Sequence, residues 1–152
     1  MADAPVPVLQ LRVVVESDDL DRDLAFYRDV LGLTEQAAFE GEGDARVVIL
    51  DAGRATLELA NRAQVAMIDQ VEVGHPASPR IRFALEVTDA ERAMAAAVDG
   101  GATLIAPPVE TPWRSRNARL DAPDGLQLTL FQELEPLDER IDHDGFGTSA
   151  DR

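Results

Sequence analysis

The sequence predicts an α+β protein built from two tandem β-α-β-β-β modules, and two observations carry that expectation. The first is an internal duplication. Shifting the 152-residue chain by 70 and comparing 12–52 with 82–122 gives eleven identities in 41 positions, among them Arg12/Arg82, Glu16/Glu86, Asp19/Asp89, Arg22/Arg92 and Arg46/Arg116. Chance in such a composition gives about three. After Ala122 the second copy gains one residue, so Leu57 meets Leu128 and Leu59 meets Leu130 at a shift of 71. The second observation is that each copy passes through the same periodicities: one extended run, one helical run, then three shorter extended runs.

In the first copy, LQLRVVVE (9–16) is rich in β-branched residues and reads as a strand. SDDLDRDLAFYRDVLG (17–32) reads as a helix, because Leu20, Leu24, Tyr27 and Leu31 recur at helical spacing. Ser17, Asp18 or Asp19 can cap its start and Gly32 its end. Extended runs follow at 34–39, 45–51 and 55–60, punctuated by Gly41, Gly43 and Gly53. The second copy gives a strand over 81–87, a helix over 89–99 stopped by Gly100 and Gly101, and strands over 103–105, 115–121 and 126–131. Pro107, Pro108 and Pro112 interrupt the ladder after the first of these, which suits a sheet edge. Between the copies, NRAQVAMIDQV reads as a short helix and GHPASP as a turn. The expected organisation is a first module over 9–60, a linker over 61–79, a second module over 80–132 and an acidic mobile tail over 133–152.

Composition narrows the chemistry. The chain has no cysteine, which excludes disulfides, thiolate metal sites and a cysteine nucleophile. No apolar run approaches the roughly 18 residues that span a membrane, and MADAPVPV lacks the pattern of a signal peptide, so a cytoplasmic protein is expected. A net charge of -15 repels phosphate backbones, so neither nucleic acid nor a membrane is an expected partner. Ser115 and Ser149 have no histidine at a readable spacing, and a Ser-His-Asp set has no support.

Side chains alternate along a strand, and one face of each sheet must receive its helix. Val13, Val15, Leu57 and Leu59 are the apolar set of the first copy; Phe83, Leu85, Val87, Leu128 and Leu130 are that of the second. The opposite faces carry Arg12, Glu16, Thr56 and Glu58, and Arg82, Glu86, Gln127, Thr129 and Phe131. Apolar patches broken by a few polar groups suit a small-molecule pocket. The ordinary alternative is a solvated outer face.

The stretch DLDRDLAFYRDVLGL resembles the opening module of the vicinal oxygen chelate superfamily, which includes glyoxalase I, extradiol dioxygenases and bleomycin-resistance proteins. RLDAPDGLQLTLF resembles its closing strand pair. The resemblance implies paired modules, curled mixed sheets enclosing a cavity, and a homodimer. Metal-using members place ligands on the first and last strands of both modules. Those positions fall here on Arg12, Glu58, Arg82 and Thr129, and only Glu58 is a credible ligand, since a guanidinium has no lone pair to give. His75 and His143 sit in the linker and the tail. The usual metal site and any cofactor are therefore expected to be absent. An all-oxygen site from Glu16, Glu58 and Glu86 is the fallback, although Glu16 lies about 13 Å along the strand from Arg12.

Arg12, Glu58 and Arg82 would then converge on the cavity floor. They form either an internal salt-bridge network or a spare guanidinium offered to a carboxylate, enolate or phenolate. Trp113, Phe131, Gln127 and Thr129 complete the expected ligand-binding set; Met67 and Phe39 read as core or lining. Arg46 and Arg116 are expected to pair with strand neighbours. Three functions fit: a metal-independent small-molecule-binding protein of the bleomycin-resistance type, a metal-dependent or Glu58-based lyase, isomerase or dioxygenase, and a structural dimer with a filled cavity. Whether the chain is an enzyme stays open. Glu58 is the best catalytic candidate but a poor base between two arginines.

Overall fold

The computed structural model describes residues 13, 17, 19–40, 44–55, 62–140 and 142–143. The strands expected over 9–16 and 55–60, and with them Arg12, Glu16 and Glu58, lie outside the described residues apart from Val13 and Ala55. Val13, expected beneath a helix, is 54% exposed.

The helix of the first half starts where the sequence places it. The Asp19 carboxylate caps it by accepting from the Arg22 amide at 3.0 Å. Helix α1 (Leu20–Leu24) runs on as a π-helical stretch over Ala25–Val30 and ends before Gly32, whose φ of 77° terminates the turn. Leucine spacing predicts a uniform α-helix; the structure instead widens the turn, with the Leu31 amide donating to the Phe26 carbonyl at 3.0 Å. The wider turn turns two adjacent aromatics inward. Phe26 is 1% exposed, and Tyr27 meets it edge-to-face with ring centroids 5.2 Å apart. Strands β1 (Thr34–Glu40) and β2 (Arg46–Asp51) follow as an antiparallel pair. Helix α2 (Arg62–Glu72) is the predicted linker helix.

The second half contains β3 (Phe83–Glu86), α3 (Ala90–Asp99), β4 (Thr103–Glu110), β5 (Ser115–Asp121) and β6 (Gln127–Glu133). They build a mixed four-stranded sheet in the order β3-β6-β5-β4, in which β3 and β6 run parallel and the other pairs antiparallel. The proline-bearing strand is at the edge, as expected, but is longer than expected. It continues through Pro107 and Pro108 to Glu110, absorbing them in a register shift between Ala106 and Val109. An edge strand needs ladder bonds on one side only, so missing amides cost it little. A short helix α4 (Leu137–Arg140) is the last element among the described residues.

The core lies on one face of this sheet. Leu128 and Leu130 are buried there with Ala118, Leu120 and Ala122, and Phe83, Leu85 and Val87 pack against them. Small residues let helices approach closely: Ala97 from α3 and Phe26 from the first helix enter the same cluster. A Cβ at Gly100 would stand 2.7 Å from Val30, so glycine is what lets the end of α3 meet the first helix.

Equivalent contacts recur 70 residues apart. Asp89 caps α3 by accepting from the Arg92 amide at 3.1 Å, as Asp19 does from Arg22. Arg46 pairs with Asp21 and Arg116 with Glu91. Both arginines therefore reach helices and not the strand neighbours expected of them. For Arg116 the reason is plain, since it shares the face of Ala118 and Leu120, which α3 covers.

Candidate functional site: a buried ion network beneath the linker helix

Alternation along β5 sends Ala118 and Leu120 to the core face and Asn117 and Arg119 to the other, where Gln127 and Thr129 of β6 join them. Arg119 lies directly across the ladder from Thr129, and Asn117 across from Phe131. Helix α2 covers this face. Ile68, Asp69 and Glu72 are its buried residues among those described, with Val65 and Val71 half-buried beside them.

Arg119 is fully buried. Its Nη1 donates to Asp69 at 3.1 Å, to Ser78 Oγ at 3.0 Å and to Gln127 Oε1 at 2.9 Å, and its Nη2 donates to Glu72 at 2.5 Å. Glu72 also accepts from Asn117 Nδ2 at 2.6 Å, and Gln127 Nε2 donates to the Ala77 carbonyl at 3.0 Å. Asp69 accepts from the amides of Ala77 and Ser78, both at 2.9 Å, and from the Ser78 hydroxyl. Burial pushes its carboxyl up, but these donors and the guanidinium outweigh it and hold it well below the usual carboxylate range. Two carboxylates face one guanidinium, a formal charge of -1 offset by the backbone amides. A hollow of about 440 Å³ borders the network, lined by Val65, Ala66, Asp69, Pro76, Ala77 and Ser78.

Of the residues singled out in the sequence, Gln127 and Thr129 fall beside Arg119. Arg82 is half-buried just ahead of β3, Phe131 half-buried near the far end of β6, and Trp113 half-buried in the β4–β5 turn, beyond Ser115. Arg12 and Glu58 are outside the described residues. Met67, read as core or lining, is 46% exposed, because α2 turns Ile68, Asp69 and Glu72 to the sheet instead. Asp69, Glu72, Ser78, Asn117 and Arg119 carry the network and were not singled out. The legible signal was RNARLD, where polar and apolar residues alternate on a strand, with an Asp and a Glu three apart on the linker helix.

Among the described residues the donor set does not fit a transition metal. Arg82 offers no lone pair and Thr129 a weak one, and the carboxylates of Asp69 and Glu72 are taken up by donors. Among the described residues no group of three or more His, Cys, Asp or Glu side chains is placed to hold a metal ion. No helix among them is long and apolar enough to cross a membrane.

The sequence profile of the glyoxalase-like domain matches residues 12–131. Among curated proteins, none matches the chain significantly. Solved structures share the fold. A glyoxalase family protein from Bacillus cereus is 18% identical with a TM-score of 0.54, over 88% of this chain and 100% of that one. A member of the glyoxalase/bleomycin resistance protein/dioxygenase superfamily from Sphaerobacter thermophilus is 21% identical with a TM-score of 0.53, over 84% and 98%. A hypothetical protein from S. aureus is 14% identical with a TM-score of 0.57, over 84% and 95%. The chain belongs to the glyoxalase-like domain family, within the vicinal oxygen chelate superfamily.

Proposed function

We propose that the chain is a small-molecule-binding protein that holds its ligand without a chelated metal, in a cleft between two tandem modules with curled sheets. The observation that supports this is the chemistry of the second module's ligand positions. Arg82 stands ahead of its first strand and the buried Thr129 on its last, so a guanidinium without a lone pair and a weakly ligating hydroxyl occupy the places where His or carboxylate ligands would be needed. In this reading Arg12 and Glu58 complete the cluster with Arg82, and the ligand presents a carboxylate, enolate or similar hydrogen-bonding group. The protein works as a cytoplasmic homodimer.

Elemental analysis of protein purified without added metal tests the first part. Substoichiometric metal is expected, and near-stoichiometric Ni, Zn, Fe or Mn would overturn it. A thermal-shift screen tests the second, because a ligand that binds only the folded state raises the melting temperature by mass action. A filled scaffold is the competing reading, favoured by α2 lying on Arg119. It predicts no response to any compound class.

A further inference from the structure

A second hollow, of about 530 Å³, lies where the end of the first helix meets the connection from β3 to α3. That volume suits a small molecule. Its apolar wall is Val30, Leu31, Val87 and Ala93, all half-buried and packed against the core cluster, so the wall is fixed by the fold. The hollow is thus on the helix-packed side of the sheet, away from the face of Gln127 and Thr129. Its polar rim includes Glu86, Asp89 and Arg92. Asp89 Oδ1 accepts from the Arg92 backbone amide at 3.1 Å. The Arg92 guanidinium and the Glu86 carboxylate have no hydrogen-bond or ion-pair partner among the described residues, and they do not pair with each other. The duplication makes the unpaired guanidinium informative. In the first copy its counterpart, Arg22, donates to the buried Asp23 at 2.8 Å. Seventy residues on, the place of Asp23 is taken by Ala93, so the second copy lacks both the neutralising carboxylate and the volume it fills.

We propose that this hollow binds an amphipathic zwitterion of amino-acid size, with its carboxylate on Arg92, its ammonium on Glu86 and its alkyl body against Val30, Leu31, Val87 and Ala93. A guanidinium fork matches a carboxylate, and the Glu86 carboxylate accepts from an ammonium. Two carboxylates against one guanidinium leave the rim a formal charge of -1, which disfavours a ligand that is only an anion. A ligand that is only a cation leaves Arg92 without a partner and facing a like charge. The apolar wall, already half out of water, excludes more solvent only against a ligand with a hydrocarbon body. This site uses none of the residues of the metal-free cleft and stands or falls apart from that reading.

The test follows the backbone amides of Leu31, Val87, Thr88 and Ala93 in the ¹⁵N-labelled full chain during titration, at constant pH and ionic strength, to tens of millimolar. The probes are L-leucine, 3-methylbutylamine (leucine without its carboxylate), 4-methylpentanoate (leucine without its ammonium) and glycine (leucine without its alkyl body). Saturable shifts at these amides are expected with leucine. The amine and the carboxylate should each bind about fivefold more weakly, the loss of one exposed charge pair, and glycine should give no saturable shift. Glu86 and Arg92 are exposed, so Glu86→Gln and Arg92→Gln should leave the rest of the spectrum in place. Arg92→Gln is expected to abolish the advantage of leucine over the amine alone, and Glu86→Gln its advantage over the carboxylate alone. No response to leucine would overturn the site. So would an amine, carboxylate or glycine response as tight as that of leucine, or advantages that persist in both variants. Stoichiometric metal in the purified protein would defeat the metal-free reading and leave these outcomes unchanged.

Discussion

Arg119 is the residue on which the second sheet's outer face depends. Removing a buried ion's partner leaves charge uncompensated, so Arg119→Met is expected to cost about 3–5 kcal/mol in urea unfolding, and a double change Arg119→Met, Glu72→Met to recover part of it. A loss no larger than that of an exposed arginine would show the network to be solvated. Asp69 adds a pH signature. Its folded-state value is depressed, so its contribution is present above the ordinary carboxylate range of about 4 and is lost as pH falls towards the lower folded value. Unfolding measured from pH 6 downwards should show this loss in the parent protein and a flatter profile in Asp69→Asn.

At the scale of elements, two of the contacts that tie the first helix to the second half can be tested singly. Gly100→Ala would drive a Cβ into the β-branched Val30, for which overpacking predicts about 1–3 kcal/mol of destabilisation, readable as a lower melting temperature. Tyr27 donates to Asp124 at 3.3–3.4 Å from a position where burial first, and then Asp124, raises the phenol above its usual range. A raised value means stability that is present below about pH 10 and lost as pH climbs towards the folded-state value. Tyr27→Phe should cost about 0.5 kcal/mol at neutral pH, given so long a bond, and should blunt the alkaline loss. The β4 edge, the Asp19 and Asp89 caps and the turn-ending Gly32 were legible because each depends on its own few residues. The π-helical turn at Ala25–Val30 was not, since leucine spacing carries no mark of an aromatic pair being turned together onto a distant sheet.

For the whole molecule, charge is the dominant long-range term. A net charge of -15 on 152 residues repels itself, and raising salt from a few millimolar to 0.15 M shortens the screening length to about 8 Å. The melting temperature should rise over that range, and by a similar amount in Arg119→Met, because the buried network lies beyond the reach of screening. A fall with salt would mean that exposed pairs such as Arg46–Asp21 outweigh the repulsion. The sequence by itself determined the element types of the second half, which face of β3 and β6 meets α3 and the first helix, and the family. Periodicity, caps and glycines are local properties, and the 70-residue repeat adds a second reading of each. Only the tertiary structure decided which polar groups meet. Asp69 and Glu72 stand 50 and 47 residues before Arg119, and their pairing follows from α2 folding back over β5, a long-range event written in no local spacing.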